Sequence, residues 1–458
     1  MDILRIDFDR GTVRLRGAPA AGMPGVVWDE RVQGFRCAAY RYWDIVALAA
    51  ESQLVLDDRV GPQSDLPVSP WRTPELRPYQ QDALRAFHAF GSRGVVSLPT
   101  GSGKTLVAIA ALACAGVSSL VLCPTRALVE QWVQQLRSFY DGPVGVVSDG
   151  IFRVTPVSVM TFESAYRRLD MLGDRFRALV VDEVHHFAGG IRAEALEMCI
   201  APIRLGLTAT GPELGSPGDA CLRALVGPTV CEVSIRALLG THLADLELIR
   251  LHVHLDAEEA SEYARLYRPF AEMRRCLARA DPDLDWSGLV RAMARSEEGR
   301  KVFADYRRAV ALATFPRAKK DLCAILLTRH RDDKKLVFTA SVDDAYAISF
   351  EHLVPLLTAE TQRKERDEIL ERFRNGRYRT LVSARVLNEG IDVPDARVGI
   401  VLGGRLGRRE HIQRIGRVLR PAPGKRALIY ELVTAGTIDD RRARARRRHD
   451  AAGAAAGL

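Results

Sequence analysis

The sequence predicts an α/β protein with two parallel-sheet lobes, a small α/β domain before them and a helical, thumb-like insertion between them. Three observations carry this expectation. Short apolar runs at 119–123, 144–147, 157–160, 178–181 and 204–207 alternate with helical stretches such as Leu128 to Phe139, the rhythm of a parallel sheet covered on both faces. That rhythm resumes at 335–338, 379–382, 398–402 and 427–432. Finally, a phosphate-type loop in the first repeat, Leu98-Pro99-Thr100-Gly101-Ser102-Gly103-Lys104-Thr105, is answered in the second by Gln413-Arg414-Ile415-Gly416-Arg417-Val418-Leu419-Arg420. Two lobes sharing one nucleotide follow from that pairing.

In chain order, residues 1–70 form the small N-terminal domain. Leu4, Ile6 and Phe8 alternate with polar residues, Asp9-Arg10-Gly11 reads as a turn, and Val13 and Leu15 resume the alternation, which predicts a β-hairpin. Pro62, Pro67, Pro70 and Pro74 mark a linker. The first lobe spans 71–240 and the second 241–440, with the helical insertion at about 256–330. Asp256 and Glu259 make a capping-box start, and Tyr263, Leu266, Tyr267, Phe270, Met273 and Leu277 keep one helical face apolar. Pro269 is expected to kink or divide that helix. Residues 441–458, arginine-rich and then of low complexity, read as a disordered basic tail.

Composition narrows the function class. At 458 residues the chain is too long for one ordinary core, and 47% hydrophobic with 27% charged residues describes a soluble globular protein. A net charge of +9, from 66 basic and 57 acidic side chains, favours an anionic partner. The 8 cysteines form no CxxC pair, so neither zinc nor an iron–sulfur cluster is suggested, and reduced thiols point to the cytoplasm. The uncharged stretch from Leu106 to Cys123 is broken by Gly116, Ser118 and Ser119, and reads as helix, turn and buried strand, not a membrane span.

The chemistry rests on few residues. Strand, glycine-rich turn and helix are the context of a P-loop: Thr100, Gly101, Ser102 and Gly103 wrap phosphate oxygens with backbone N–H groups, and Lys104 reaches the β and γ phosphates. Thr105 is expected on Mg²⁺. Asp182 and Glu183 close an apolar strand, where Asp182 would hold the Mg²⁺ shell and Glu183 would orient and deprotonate the attacking water. Thr208-Ala209-Thr210 ends a further strand, with hydroxyls placed to link ATP to movement.

With these motifs in order, the chain resembles the superfamily 2 helicases and translocases with a DExH box, Asp182-Glu183-Val184-His185, and among them the XPB-type DNA repair and transcription translocases in a short prokaryotic form. The resemblance covers about 71–240 and 317–440. It implies RecA-like lobes, ATP and Mg²⁺ as cofactors and DNA as partner. Arg77 and Gln80, in Leu76-Arg77-Pro78-Tyr79-Gln80, would read adenine; Gly390, Asp392 and Gln413 would bind or sense nucleotide; Arg417 and Arg420 would complete hydrolysis from the second lobe. Thr125, Arg126, Thr161, Ser383 and Arg385 would contact phosphates, while His185, Thr208 and Thr210 couple the two activities. The family carries a damage-sensing domain where residues 1–70 lie and a DNA-gripping thumb near Arg274, Arg275 and Arg279, residues that read equally as a solvated basic face. Its prokaryotic members often work with a nuclease, which leaves a monomer or a heterodimer open.

One departure limits the resemblance. The family's Arg-Glu-Asp loop, associated with opening DNA at damage, is replaced by Gly211-Pro212-Glu213-Leu214-Gly215-Ser216-Pro217-Gly218-Asp219. Translocation is therefore expected, and strand separation is left open. Two other readings stand beside an ATP-driven 3′-to-5′ DNA helicase or translocase: an RNA remodeller of the same superfamily, and a non-catalytic DNA-binding platform that recruits a nuclease.

Overall fold

The computed structural model describes residues 3–17, 20, 23, 25–61, 68–190, 193–238, 245–358, 360–384, 396–403 and 426–445. The chain forms two compact units, Met1–Leu238 and Leu239–Asn388 with Asp392–Leu458. No helix among the described residues is long and apolar enough to cross a membrane.

The first unit holds two sheets. Strands β1 (Ile3–Asp9), β2 (Thr12–Arg16), β3 (Val27–Asp29), β4 (Gly34–Ala38) and β5 (Val55–Asp58) order as β3-β4-β2-β1-β5. The hairpin expected at the N-terminus is β1 and β2, paired with Phe8 opposite Val13. Their inward residues Leu4, Ile6, Val13 and Leu15 pack with Tyr42 and Ile45 of helix Tyr42–Glu51, so period-2 alternation set the buried face.

The second sheet is the first lobe: β6 (Arg93–Ser97), β7 (Ser119–Cys123), β8 (Val144–Ser148), β9 (Ile151–Arg153), β10 (Val157–Thr161), β11 (Ala178–Val181), β12 (Ile203–Thr208) and β13 (Thr229–Glu232), ordered β13-β6-β12-β11-β7-β10-β8-β9. All pairings are parallel except β8 with β9. Strands β7, β10 and β11 are buried throughout, as continuous apolar runs covered on both faces should be.

The N-terminal sheet is docked on this lobe. Ile200 of the lobe sits in the N-terminal core, and Tyr40 packs against the lobe's core. Below Tyr40 lies the fully buried Arg204, whose guanidinium donates to the carbonyls of Ala201, Leu196, Leu225 and Cys199. Burial pushes its pKa down to about 10. Arg204 thus ties together the ends of helices Glu194–Glu197 and Pro217–Leu225 and the turn before β12, whose carbonyls would otherwise be left unsatisfied. The end of the expected linker also joins the lobe: Trp71 bridges Tyr140, and Arg72 N–H donates to Phe139 O at 2.7 Å.

In the second unit, β14 (Asp245–Val253), β15 (Lys335–Thr339), β16 (Leu356–Leu357), β17 (Thr380–Ala384), β18 (Val398–Val401) and β19 (Arg426–Thr434) form an all-parallel sheet ordered β14-β19-β18-β15-β17-β16. The insertion consists of helices Ala257–Ala280, Trp286–Ala294 and Glu297–Thr314 around their own core, whereas helix Arg317–Arg329 gives Cys323 and Leu326 to the core of the sheet. The insertion therefore ends earlier than its expected limit near 330.

Two further expectations need correction. Helix Ala257–Ala280 continues through Pro269. The proline faces solvent, where water can serve the freed carbonyl, and Tyr263, Leu266, Tyr267 and Phe270 lock both halves onto one core, with Phe270 stacked on Tyr306 at 3.8 Å. The tail is not wholly disordered either, since residues 438–445 are helical. Ala443 is buried, Arg441 lies over the Tyr267 ring, Arg442 donates to Tyr306, and Arg444 pairs with Asp440. Its arginines are amphipathic, packing their stems while the heads stay polar.

Candidate active site

Strands β6, β12, β11, β7, β10 and β8 are neighbours in that order and parallel, so they end along one edge. Beyond those ends come, in the same order, Leu98–Lys104, the Thr208 hydroxyl, Asp182 with Glu183, Thr125 with Arg126, Thr161, and Asp149. Open α/β sheets place their ligands at this edge. The topology thus gathers into a single line residues that the sequence scatters over more than a hundred positions.

The phosphate-type loop joins β6 to helix Lys104–Ala115. Gly101 and Gly103 have φ of 85° and 78°, and a Cβ on Gly103 would lie 2.5 Å from Gln80 Nε2, so the turn requires glycine. The loop is braced from beneath. Buried Gln80 donates to Ser102 O at 2.7 Å and Gly103 O at 3.3 Å, its Oε1 accepts from Arg77 N–H at 2.9 Å, and Tyr79 OH donates to Ser102 O at 2.7 Å. The Gln80 amide, expected to read adenine, here holds the loop. Ser102 Oγ is turned inward onto Pro99 O at 2.6 Å, and Lys104 Nζ donates to Leu98 O at 3.1 Å and Pro99 O at 3.4 Å. Thr100 Oγ1 is buried and finds no hydrogen-bond partner among the described residues.

Asp182 is buried at the end of β11. Its Oδ2 accepts from Trp132 Nε1 at 2.8 Å, and its Oδ1 accepts from Glu183 N–H at 3.0 Å. Its charge is felt next door: the Cys123 thiol is pushed well above its ordinary value, by burial first and by Asp182 second. Glu183 adopts a left-handed backbone (φ 51°, ψ 48°), a conformation costing a non-glycine residue roughly 1–3 kcal/mol and typical of functional positions. His185 Nδ1 lies 3.4 Å from Glu183 Oε2 and 3.1 Å from Thr208 Oγ1. Thr208 in turn donates to Thr210 O at 2.8 Å, and Thr208 O accepts from Leu98 N–H at 3.0 Å. Of the three residues expected to couple, His185 and Thr208 therefore connect Glu183 to the loop, and Thr210 branches from the Thr208 hydroxyl.

Trp132 is the residue that sequence reasoning missed. It lies on helix Arg126–Phe139, whose N-terminus is capped by Thr125 accepting from Leu128 N–H, so one helix touches Asp182 and carries Arg126. A lone tryptophan in an amphipathic helix reads as core; only its indole N–H reveals the contact.

Other expected contacts are placed less directly. Arg126 is paired with Asp149 at 2.7 Å, Thr161 caps helix Phe162–Leu172, and Ser383 is buried within β17. Arg274 and Arg275 are exposed on helix Ala257–Ala280. Arg385, Gly390, Asp392, Gln413, Arg417 and Arg420 lie outside the described residues.

The residues present fit a nucleoside triphosphate with Mg²⁺. Side-chain-free glycines, the Thr100 hydroxyl and Lys104 suit phosphate oxygens, and Thr105 and Asp182 offer hard oxygen donors.

Comparison with known proteins agrees with this geometry. Residues 6–60 match the Xeroderma pigmentosum group B helicase damage recognition domain, 73–213 the type III restriction enzyme res subunit, and 317–422 the helicase conserved C-terminal domain. The DNA 3′-5′ translocase XPB2 of Sulfurisphaera tokodaii is 34% identical over 93% of this chain and 96% of its own length. The DNA 3′-5′ helicase XPB of Mycobacterium tuberculosis is 29% identical over 80% of this chain and 62% of its own length. In fold, the Hef helicase domain of Pyrococcus furiosus aligns with a TM-score of 0.50 at 18% identity, over 81% of this chain and 98% of that one. A glycine-braced phosphate loop, the Asp182–Glu183 pair and a full-length match of this kind make the chain a member of the XPB family of DNA 3′-5′ helicases and translocases.

Proposed function

We propose that this chain is an ATP-driven DNA translocase, moving 3′ to 5′ in DNA repair. The observation that carries the reading is the order of residues along one sheet edge, ATP residues on β6, β12 and β11 beside candidate nucleic-acid residues on β7 and β10. Phosphoryl transfer needs positioning and charge neutralisation more than covalent chemistry. Thr105 and Asp182 would hold Mg²⁺, which would supply part of that neutralisation when bound. Lys104 contributes a second positive charge from its loop. Glu183 accepts the proton of the attacking water at a carboxylate oxygen, with its backbone held by the turn and its side chain beside His185.

Coupling runs along two routes. The His185–Thr208–Thr210 chain links Glu183 to the end of β12, and helix Arg126–Phe139 links Asp182 to Arg126. Phosphate contacts by Thr125, Arg126, Thr161, Ser383 and Arg385 would set the track without reading sequence. Arg417 and Arg420 would stabilise charge developing on the transferred phosphoryl group, Gln413, Gly390 and Asp392 would bind or sense nucleotide, and Arg274 and Arg275 would hold duplex. Translocation is favoured over strand opening because the segment after Thr210 lacks an Arg-Glu-Asp triplet and instead winds into helix Pro217–Leu225 under the Ser216 cap.

ATP hydrolysis measured with single-stranded, duplex and forked DNA and with RNA tests the reading. DNA stimulation lost in Arg417→Ala is expected; stimulation by RNA alone would make the chain an RNA remodeller. A nuclease encoded nearby and co-eluting with the chain is the expected partner, in the cytoplasm, with the chain otherwise monomeric.

Trp132→Phe keeps the packing and removes the hydrogen bond to Asp182. Loss of such an outer-shell bond typically lowers metal affinity or activity by about 10- to 100-fold. A Mg²⁺ titration of the ATPase is expected to shift by that order with the melting temperature near wild type; an unshifted titration removes Trp132 from the mechanism.

A further inference from the structure

One strand end on the functional edge remains without a role. Strand β8 ends at Ser148, next to β10 and Thr161, and turns through Asp149 and Gly150 into β9. Both turn residues have positive φ, 52° and 78°, and Ser148 pairs with Ile151, so this is a tight two-residue hairpin with a fixed tip. Asp149 Oδ1 takes the Arg126 guanidinium at 2.7 Å, in a pair exposed at 67% and 55%. Behind the tip, Ile151 and Phe152 are more than half exposed, and Arg168 lies over the Phe152 ring at 5.4 Å. Arg153 and Arg167 are exposed on the same two elements.

We infer that this hairpin is a further contact for single-stranded nucleic acid, with Asp149 holding Arg126 in place of a backbone phosphate and Phe152 offering a ring on which a base stacks. The inference rests on the proposed DNA function. An exposed ion pair is weak, so a phosphate with comparable geometry displaces Asp149 readily. An exposed aromatic flanked by guanidinium groups is the surface that sequence-tolerant single-strand binders use. The hairpin also continues, one strand further, the line of Thr125, Arg126 and Thr161.

The test is fluorescence anisotropy of a labelled oligothymidylate at fixed salt, with the full chain. Phe152→Ala is expected to weaken binding about fivefold or more, and Phe152→Trp to preserve it. Asp149→Asn, which tolerates the left-handed backbone, is expected to tighten binding about 1.5- to 5-fold by freeing Arg126. Wild-type affinity in both Phe152→Ala and Asp149→Asn, with Arg126→Ala still weakened, would overturn the hairpin while leaving the DNA reading intact. A wild-type chain without oligonucleotide affinity or nucleic-acid-stimulated hydrolysis would overturn both. Loss of a co-eluting protein from Phe152→Ala at unchanged oligonucleotide affinity would assign the surface to protein docking instead.

Discussion

Replacing Glu183 with Gln will reduce nucleic-acid-stimulated ATP hydrolysis by about 10²- to 10⁴-fold, the usual range for removing a positioned general base. The substitution is nearly isosteric, so the strained turn at φ 51° is kept, and an amide oxygen still faces His185. What is lost is the ability to take a proton from water. Lys104, Thr105 and Asp182 are untouched, so nucleotide affinity should stay near wild type. Steady-state hydrolysis at saturating DNA, beside binding of a fluorescent ATP analogue, reads both quantities. Hydrolysis at the wild-type rate would remove Glu183 from its role, while absent hydrolysis in a folded, DNA-bound wild-type chain would revive the reading as a non-catalytic platform.

Asp439→Ala is expected to destabilise the second unit by about 3–5 kcal/mol, the range for stranding one charge of a buried pair. Lys319 is fully buried, and its Nζ donates to Asp439 Oδ2 at 2.7 Å, Leu402 O at 3.0 Å and Thr314 O at 3.1 Å. Asp439 also accepts from Thr434 N–H at 3.0 Å. One ammonium therefore joins the end of the insertion, helix Arg317–Arg329, the end of β18 and the helical residues after β19. Without the carboxylate it remains a desolvated charge that has lost its hydrogen-bonded counter-ion. The apolar pair Lys319→Met with Asp439→Leu should recover much of the loss, because the desolvation penalty disappears with the charges. Hydrogen exchange of the β18 and β19 amides in the full chain checks this; unchanged protection in Asp439→Ala would show that the pair contributes little.

The sheets were legible where burial on both faces demanded unbroken apolar runs, as at Leu120–Cys123 or Ala178–Val181. Edge strands were harder. Strand β9 is exposed along its length, β16 is two residues long, and β14 alternates charged and apolar residues. None produces a strong apolar signal, because an edge is stabilised chiefly by the backbone of its neighbour. The phosphate-type loop was readable since its turn, with φ of 85° and 78°, requires glycine at closely spaced positions. Contacts between distant residues were not: Trp132 with Asp182, and Lys319 with Asp439, each join positions whose spacing carries no period. Pro269 failed as a helix breaker because propensity is local, whereas the aromatic core gripping both halves of its helix is tertiary.

The docking of the N-terminal sheet has a mechanical consequence. Ile200 and Tyr40 interlock the two cores, and Arg204 sits under Tyr40 on β12, the strand that ends at Thr208. A tug on the exposed edge at Val27 and Trp28 meets a stiff mounting in place of a swivel, and so loads the strand that reaches the ATP loop. Resistance met at that edge would thus register as tension at the phosphate loop, carried through the packing that the two sheets share.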